Sequence, residues 1–306
     1  SPAPTATARQ GPTSTASPEA LGYDLNGVLA ALPEGLPAVA RKQAEVYLRN
    51  QLNLKALFDA DLAVAQADLE ADDRGTAWQT LQYYIAMLEP MEPTLEGVRF
   101  AFFDSDVERA LFCAESDAYL VNLPIDLPYA YYLMGYLLLE EGEADMALQM
   151  LAQSARLTPA NSRVLLEYSY AASAAGDLDA ALESAQAALR YSLAPEQLAQ
   201  SYRVIGYCLC ERGEYALAAS LYAVSRDFSA DDQYANDELA YIAGVDAAAV
   251  ENVEERARET LAAGGYAYGL SDEARAAMRA YRDSGARDAA SEHILSLWEE
   301  TEQSGT

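Results

Sequence analysis

Lysine is almost missing from this chain. Among 20 basic residues only Lys42 and Lys55 are lysines, set against 48 acidic residues and a formal net charge of −28. Phosphate binding needs clustered basic side chains, so this scarcity excludes nucleic acid as a partner. The same charge repels anionic lipid headgroups. Histidine is rarer still: His293 stands alone, without a second histidine for metal ligation or a serine or cysteine signature for a triad. The cysteines number three, Cys113, Cys208 and Cys210, and an odd count gives no disulfide framework. Cys208 and Cys210 are two residues apart on an expected helix and so point to different faces, as small buried apolar residues do. Long hydrophobic runs are missing too. The longest, Ala130 to Leu139, is ten residues, well short of the roughly 20 that span a bilayer. No glycine-rich phosphate cradle follows a strand, so no cofactor is expected. The alternating carboxylates Asp104, Asp106 and Glu108 lack the turn glycine and distant glutamate of a calcium loop.

What is present is periodic. Gly142, Gly176 and Gly213 each sit in a short polar turn, 34 and then 37 residues apart, and an alanine follows each by five: Ala147, Ala181 and Ala218. Before each turn stand a large residue, a small one and a further apolar one: Tyr131, Gly135 and Leu138; Leu165, Ser169 and Ala172; Tyr202, Gly206 and Leu209. A small residue there lets the second helix of a hairpin cross closely. The turn glycine can take the left-handed backbone that ends a helix. Pro159 stops the second helix of its unit, and Pro195 is read as closing the next. The third unit has Ala230 at that place.

A 34-residue period with these residues resembles the tetratricopeptide repeat family. The resemblance covers about a third of the chain. It implies an all-α solenoid of helical hairpins, and a binding scaffold in place of an enzyme. The expected organisation is a Ser/Thr/Pro/Ala tether over 1–20, N-terminal helices with a degenerate hairpin over 21–93, three repeats over 128–230, capping helices over 231–300 and a tail over 301–306. Within the N-terminal part, 37–58 reads as one helix and 61–90 as a hairpin turning at ADDRG. Residues 246–263 and 271–300 read as further helices. Between 94 and 127 the runs VRFAFF, RALFCA and AYLVN, parted by acidic residues, read as a small β-meander over about 97–122.

Helical spacing places Tyr129, Tyr132, Tyr136 and Leu139 on one stripe of the first repeat. Arg163, Leu166 and Tyr170 take the matching places in the second, and Arg203 and Tyr207 in the third. Tyr136, Tyr170 and Tyr207 each follow the small packing residue of their unit, so a tyrosine ladder along the groove is expected. Tyrosine offers wide contact area at low entropic cost, plus a hydroxyl. The expected partner is a protein or peptide. A glycan stacked on the rings is the alternative, and a hydrolase a more distant one. Residues 1–20 resemble the tether of a bacterial lipoprotein. That reading places a lipid anchor upstream of Ser1 and the protein at the cell surface; without an anchor the expectation is cytoplasmic.

Overall fold

The structure is a computed structural model that describes residues 24–304, except 115, 117, 230 and 231. The expected tether and Ala230 lie outside the described residues. The chain is mostly helical and divides into two compact units. One comprises residues up to Phe100 together with Tyr119–Asp126; the other comprises Ala101–Ala118 and everything from Leu127 onward.

In the first unit, α1 (Leu25–Ala30) is followed by α2 (Ala38–Glu70) and α3 (Arg74–Leu88). The two helices expected at 37–58 and 61–70 are one helix of 33 residues. The segment Phe58-Asp-Ala-Asp61 contains no glycine or proline, so nothing breaks the backbone ladder there. The turn at ADDRG falls where expected, and Asp73 caps α3 by accepting from the Thr76 amide. Phe58 and Tyr84 meet edge to face at 5.1 Å, and the Tyr84 hydroxyl donates to Asp61 at 2.7 Å. Two short strands complete the unit, β1 (Val98–Ala101) and β2 (Tyr119–Asn122), paired in parallel.

A parallel pair needs a crossover, and that corrects the expected meander. The middle run is helix α4 (Asp106–Cys113), which belongs to the second unit. Its start was written in the sequence as Ser105-x-x-Glu108. The Ser105 hydroxyl accepts from the Glu108 amide at 3.1 Å, and the Glu108 carboxylate reaches back to the Asp104 amide at 2.9 Å. The acidic residues read as a turn between strands are therefore a helix cap. Cys113, at the other end of α4, is exposed, while Cys208 and Cys210 are buried.

The second unit contains three successive helical hairpins. These are α5 (Leu127–Glu140) with α6 (Ala144–Leu157), α7 (Ser162–Ala174) with α8 (Leu178–Arg190), and α9 (Pro195–Glu211) with α10 (Tyr215–Ser225). Each helix packs on the next, and α5, α7 and α9 also touch in series. The three turns are closed alike. Gly142 has φ of +81°, and the amides of Gly142 and Glu143 bond back to Leu139 and Leu138. The equivalent bonds recur at Gly176 and Gly213, which makes each a Schellman end. Inside the hairpins Ala147, Ala181 and Ala218 have no exposed surface. Ser169, the small residue of the second unit, donates to the Ala181 carbonyl across the hairpin at 2.7 Å. Pro159 follows the end of α6 as expected. Pro195 does not close a unit: it is the first residue of α9, where its missing N–H costs nothing.

Beyond the hairpins come α11 (Gln233–Val245), α12 (Ala247–Val250) and α13 (Val253–Ala263). The helix expected over 246–263 is thus interrupted at Asn252, whose φ is +50°. Then α14 (Asp272–Ser284) and α15 (Ala289–Ser304) pack on α4. Asp288 ties this contact together. Its carboxylate accepts from the amides of Ala290 and Ser291, at the start of α15, and from the Asp106 amide of α4 at 3.1 Å.

Burial by itself raises the Asp288 carboxyl, but the bonds from Ser291, Asp106 and Ala290 outweigh it and hold its pKa below the usual aspartate value. A depressed folded-state pKa gives stability that is present above the unfolded pKa and lost as pH falls through the folded one. Acidifying below the ordinary aspartate range, about 3.9, is therefore expected to loosen α15 from α4. The Asp288→Asn variant should lose less on acidification than the parent chain, because it has no carboxylate to protonate. Urea midpoints across the acid range read this, and equal acid slopes in both proteins would rule the role out.

Candidate functional site

The second unit presents an aromatic face along the first helices of its hairpins. On α5 the rings of Tyr129 and Tyr132 stack at 5.7 Å with only 12° between their planes. Arg163, at the start of α7, lies over both, at 5.7 Å from one centroid and 5.3 Å from the other. The repeat arithmetic produces this arrangement. Tyr129 and Arg163 occupy the same register one period apart, so neighbouring first helices bring them side by side. Arg163 is exposed, so the attraction of its guanidinium to the ring faces is modest.

Farther along, Tyr136 is 40% exposed and donates to Glu140 at 2.9 Å, one helical turn on. Leu139 is half-buried beside it. Tyr170 of α7 is 48% exposed. Arg203 and Tyr207 of α9 are half-buried. Of the three tyrosines expected as a ladder, Tyr136 and Tyr170 are thus exposed and Tyr207 is half-buried. Leu166 is not on this face. It is 4% exposed and belongs to the core, and Glu167 takes its place. At 100° per residue, positions 166 and 167 flank the stripe of 163 and 170 on opposite sides, and the side of 166 is the one turned to the core.

Glu167 sets the electrostatics of this stretch. The Tyr132 hydroxyl points to it at 3.5 Å. Burial is the main cause that pushes the Tyr132 phenol well above its ordinary pKa, and the Glu167 carboxylate adds to it. Burial likewise raises the Glu167 carboxyl, against the lowering effects of the Tyr132 hydroxyl and Arg163. Tyr170 is pushed up to about 12, first by burial and then by Tyr234 and Glu167, with Arg203 opposing. These phenols keep their protons at neutral pH, and that of Tyr132 is directed to Glu167.

Sequence reasoning missed the continuation of the face on α11. Tyr234 and Tyr241 are 47% and 56% exposed. Burial and then Glu238 raise the Tyr234 phenol, which also feels Tyr207. The signal was available: Tyr234, Glu238 and Tyr241 have the i, i+4, i+7 spacing of one helix face.

Two cavities lie within the same unit. The larger, about 550 Å³, is bounded by Gln186 and Arg190 of α8 and by the loop around Tyr266, whose hydroxyl accepts from Gln186 at 2.8 Å. The other, about 410 Å³, lies where α4, α7, α9 and α15 converge, and Arg163 and His293 are on its wall. Among the described residues no three His, Cys, Asp or Glu side chains gather as a metal site would require. None of the described helices is long and apolar enough to cross a membrane.

The fold places the chain among mostly helical proteins with a repeat-like arrangement of hairpins. In comparisons with known proteins, no family model and no curated sequence matches it.

Proposed function

We propose that the three hairpins are tetratricopeptide-type repeats of an α-solenoid, and that the protein is a non-catalytic scaffold holding a peptide or protein partner along the tyrosine face. The observation that carries this reading is the run of exposed or half-exposed rings on successive first helices, Tyr136, Tyr170 and Tyr207, flanked by Arg163 over its tyrosine pair. Exposed aromatics aligned on rigid helices are what an interface uses as anchors, because ordering them on binding costs little. The donor hydroxyls and neighbouring carboxylates supply the polar contacts that fix an extended chain in register.

A phage-displayed library of random peptides, panned on the intact chain, tests it. Selected peptides should bind, and replacing Tyr136, Tyr170 and Tyr207 together by alanine should weaken them at least about thirtyfold, as loss of a hot spot does. The three side chains are at or near the surface, so the variant should keep its helical content. Peptides that bind the triple variant as well as the parent would sink the reading. So would a glycan-array signal that the variant loses while no peptide is enriched, since it would assign the rings to sugars.

A further inference from the structure

The tyrosine face also carries a line of carboxylates. Glu140 stands one turn beyond Tyr136 on α5, Glu167 one turn beyond Arg163 on α7, Glu211 one turn beyond Tyr207 on α9, and Glu238 one turn beyond Tyr234 on α11. Glu140 and Glu211 are exposed, and Glu167 and Glu238 are half-buried. On the same stripe stand two guanidiniums, Arg163 and Arg203. Acids therefore outnumber bases along the face, within a chain of net charge −28.

Arg163 shows what such a face holds. Its guanidinium lies over the rings of Tyr129 and Tyr132, and its charge lowers the Glu167 carboxyl that burial raises. Rings beside a carboxylate seat a cation, because the ring face and the acid both attract positive charge. The same parts recur on α9 and α11. Tyr207 is half-buried, Tyr234 and Tyr241 are exposed, and among the described residues no guanidinium lies over any of the three. Here acids stand in each other's field: burial first, then Glu211 and Asp237, raise the Glu238 carboxyl, with Tyr222 opposing. The Tyr234 phenol, raised first by burial, feels both Glu238 and Tyr207, so these rings and acids share one patch. A positive charge from outside would relieve that repulsion.

The exposed rings are independent of the acids. Acids alone would make a solvated surface, and rings alone would suit any apolar partner; together they select a cation with a flat or aliphatic body. We propose that the tyrosine face recognises a basic peptide, one of whose arginine or lysine side chains seats among Tyr207, Tyr234, Glu211 and Glu238. The proposal rests on the reading of this face as a peptide groove and adds what the peptide must carry. An acidic peptide is repelled by the same carboxylates, and a second copy of this chain by its own net charge of −28.

Fluorescence anisotropy of labelled decapeptides on the intact chain decides the matter. An alternating arginine–alanine peptide should bind, and its glutamate–alanine counterpart should bind at least about thirtyfold more weakly. Glu211→Gln combined with Glu238→Gln should weaken the arginine peptide about tenfold, as the loss of two partly exposed ion pairs does. Glutamine keeps the shape and an acceptor oxygen while removing a repulsion, so the fold should stand. The control is Asp145→Asn combined with Glu183→Gln, which removes the same charge from exposed positions on the second helices α6 and α8. Screening confines the effect of distant charges, so the control should cost less than about twofold. An equal loss in the control would reveal a diffuse attraction and overturn the proposal. Equal binding of the glutamate peptide, or no binding of the arginine peptide at millimolar concentration, would do the same. Should displayed peptides depend on Tyr136, Tyr170 and Tyr207 yet carry no excess of basic residues, only this inference falls. Should the arginine peptide need Glu211 and Glu238 while no displayed peptide depends on the three tyrosines, the cation seat stands and the reading of the wider face falls.

Discussion

Replacing Tyr202 by alanine is expected to lower the unfolding free energy by about 3–5 kcal/mol, the usual cost of removing a fully buried aromatic ring. Tyr202 has no exposed surface and packs on Phe228 with centroids 5.9 Å apart. Its hydroxyl also holds a loop in place: it donates to the Ala267 carbonyl at 2.7 Å and accepts from the Gly269 amide at 2.9 Å. Tyr202→Phe keeps the ring and deletes only that clip. It leaves the buried Gly269 amide without an acceptor, at a cost of about 1–3 kcal/mol. The two variants thus separate packing from hydrogen bonding, and urea unfolding at neutral pH measures both. A Tyr202→Phe variant as stable as the parent would show that the clip contributes nothing.

The second large effect concerns the place where α5 and α6 cross. A Cβ added at Gly135 would lie 2.5 Å from Cγ of Leu151. Gly135→Val should therefore destabilise by about 3 kcal/mol through overpacking. Shortening the neighbour should relieve it, so Gly135→Val combined with Leu151→Ala should cost less than the two single changes together, by about 1–3 kcal/mol of coupling. Gly244, near the end of α11, provides the control. Nothing stands within 4 Å of its added Cβ, so Gly244→Ala should stabilise by about 0.5–1 kcal/mol through helix propensity alone. Opposite signs at the two glycines, read by denaturant midpoints, are the expected result. Additive costs in the Gly135→Val, Leu151→Ala double variant would mean that Gly135 is small for some reason other than the crossing.

The hairpins could be read from the sequence because each depends on a few residues with few substitutes. Only a small residue fits where Leu151 or Tyr222 crosses, as at Gly135 and Gly206, and only glycine readily takes the φ near +80° at Gly142, Gly176 and Gly213. Helix α4 was not legible by pattern, because Val107, Leu111 and Phe112 are residues that strands also favour. Its one clear signal was the cap at Ser105 and Glu108. The long α2 runs through Asp59 and Asp61, because acidic residues do not end a helix. Along the candidate face, the tyrosines were placed by their period. Leu166 shares the register of Tyr132 yet faces the core, which spacing alone does not decide, and α11 was overlooked because Tyr234 and Tyr241 lack the Gly and Ala marks of a repeat.

The assignment of α4 has a practical consequence for dissecting the molecule. The polypeptide passes from one unit to the other at residue 101, returns at 119 and leaves again at 127. Neither unit can therefore be excised as an uninterrupted stretch of sequence. A fragment beginning at Leu127 would contain the three successive hairpins of the second unit and still lack a helix of that unit, leaving α14 and α15 without the surface on which they dock. Loss of binding by such a truncation would report a damaged scaffold, and would not locate the ligand in the part removed.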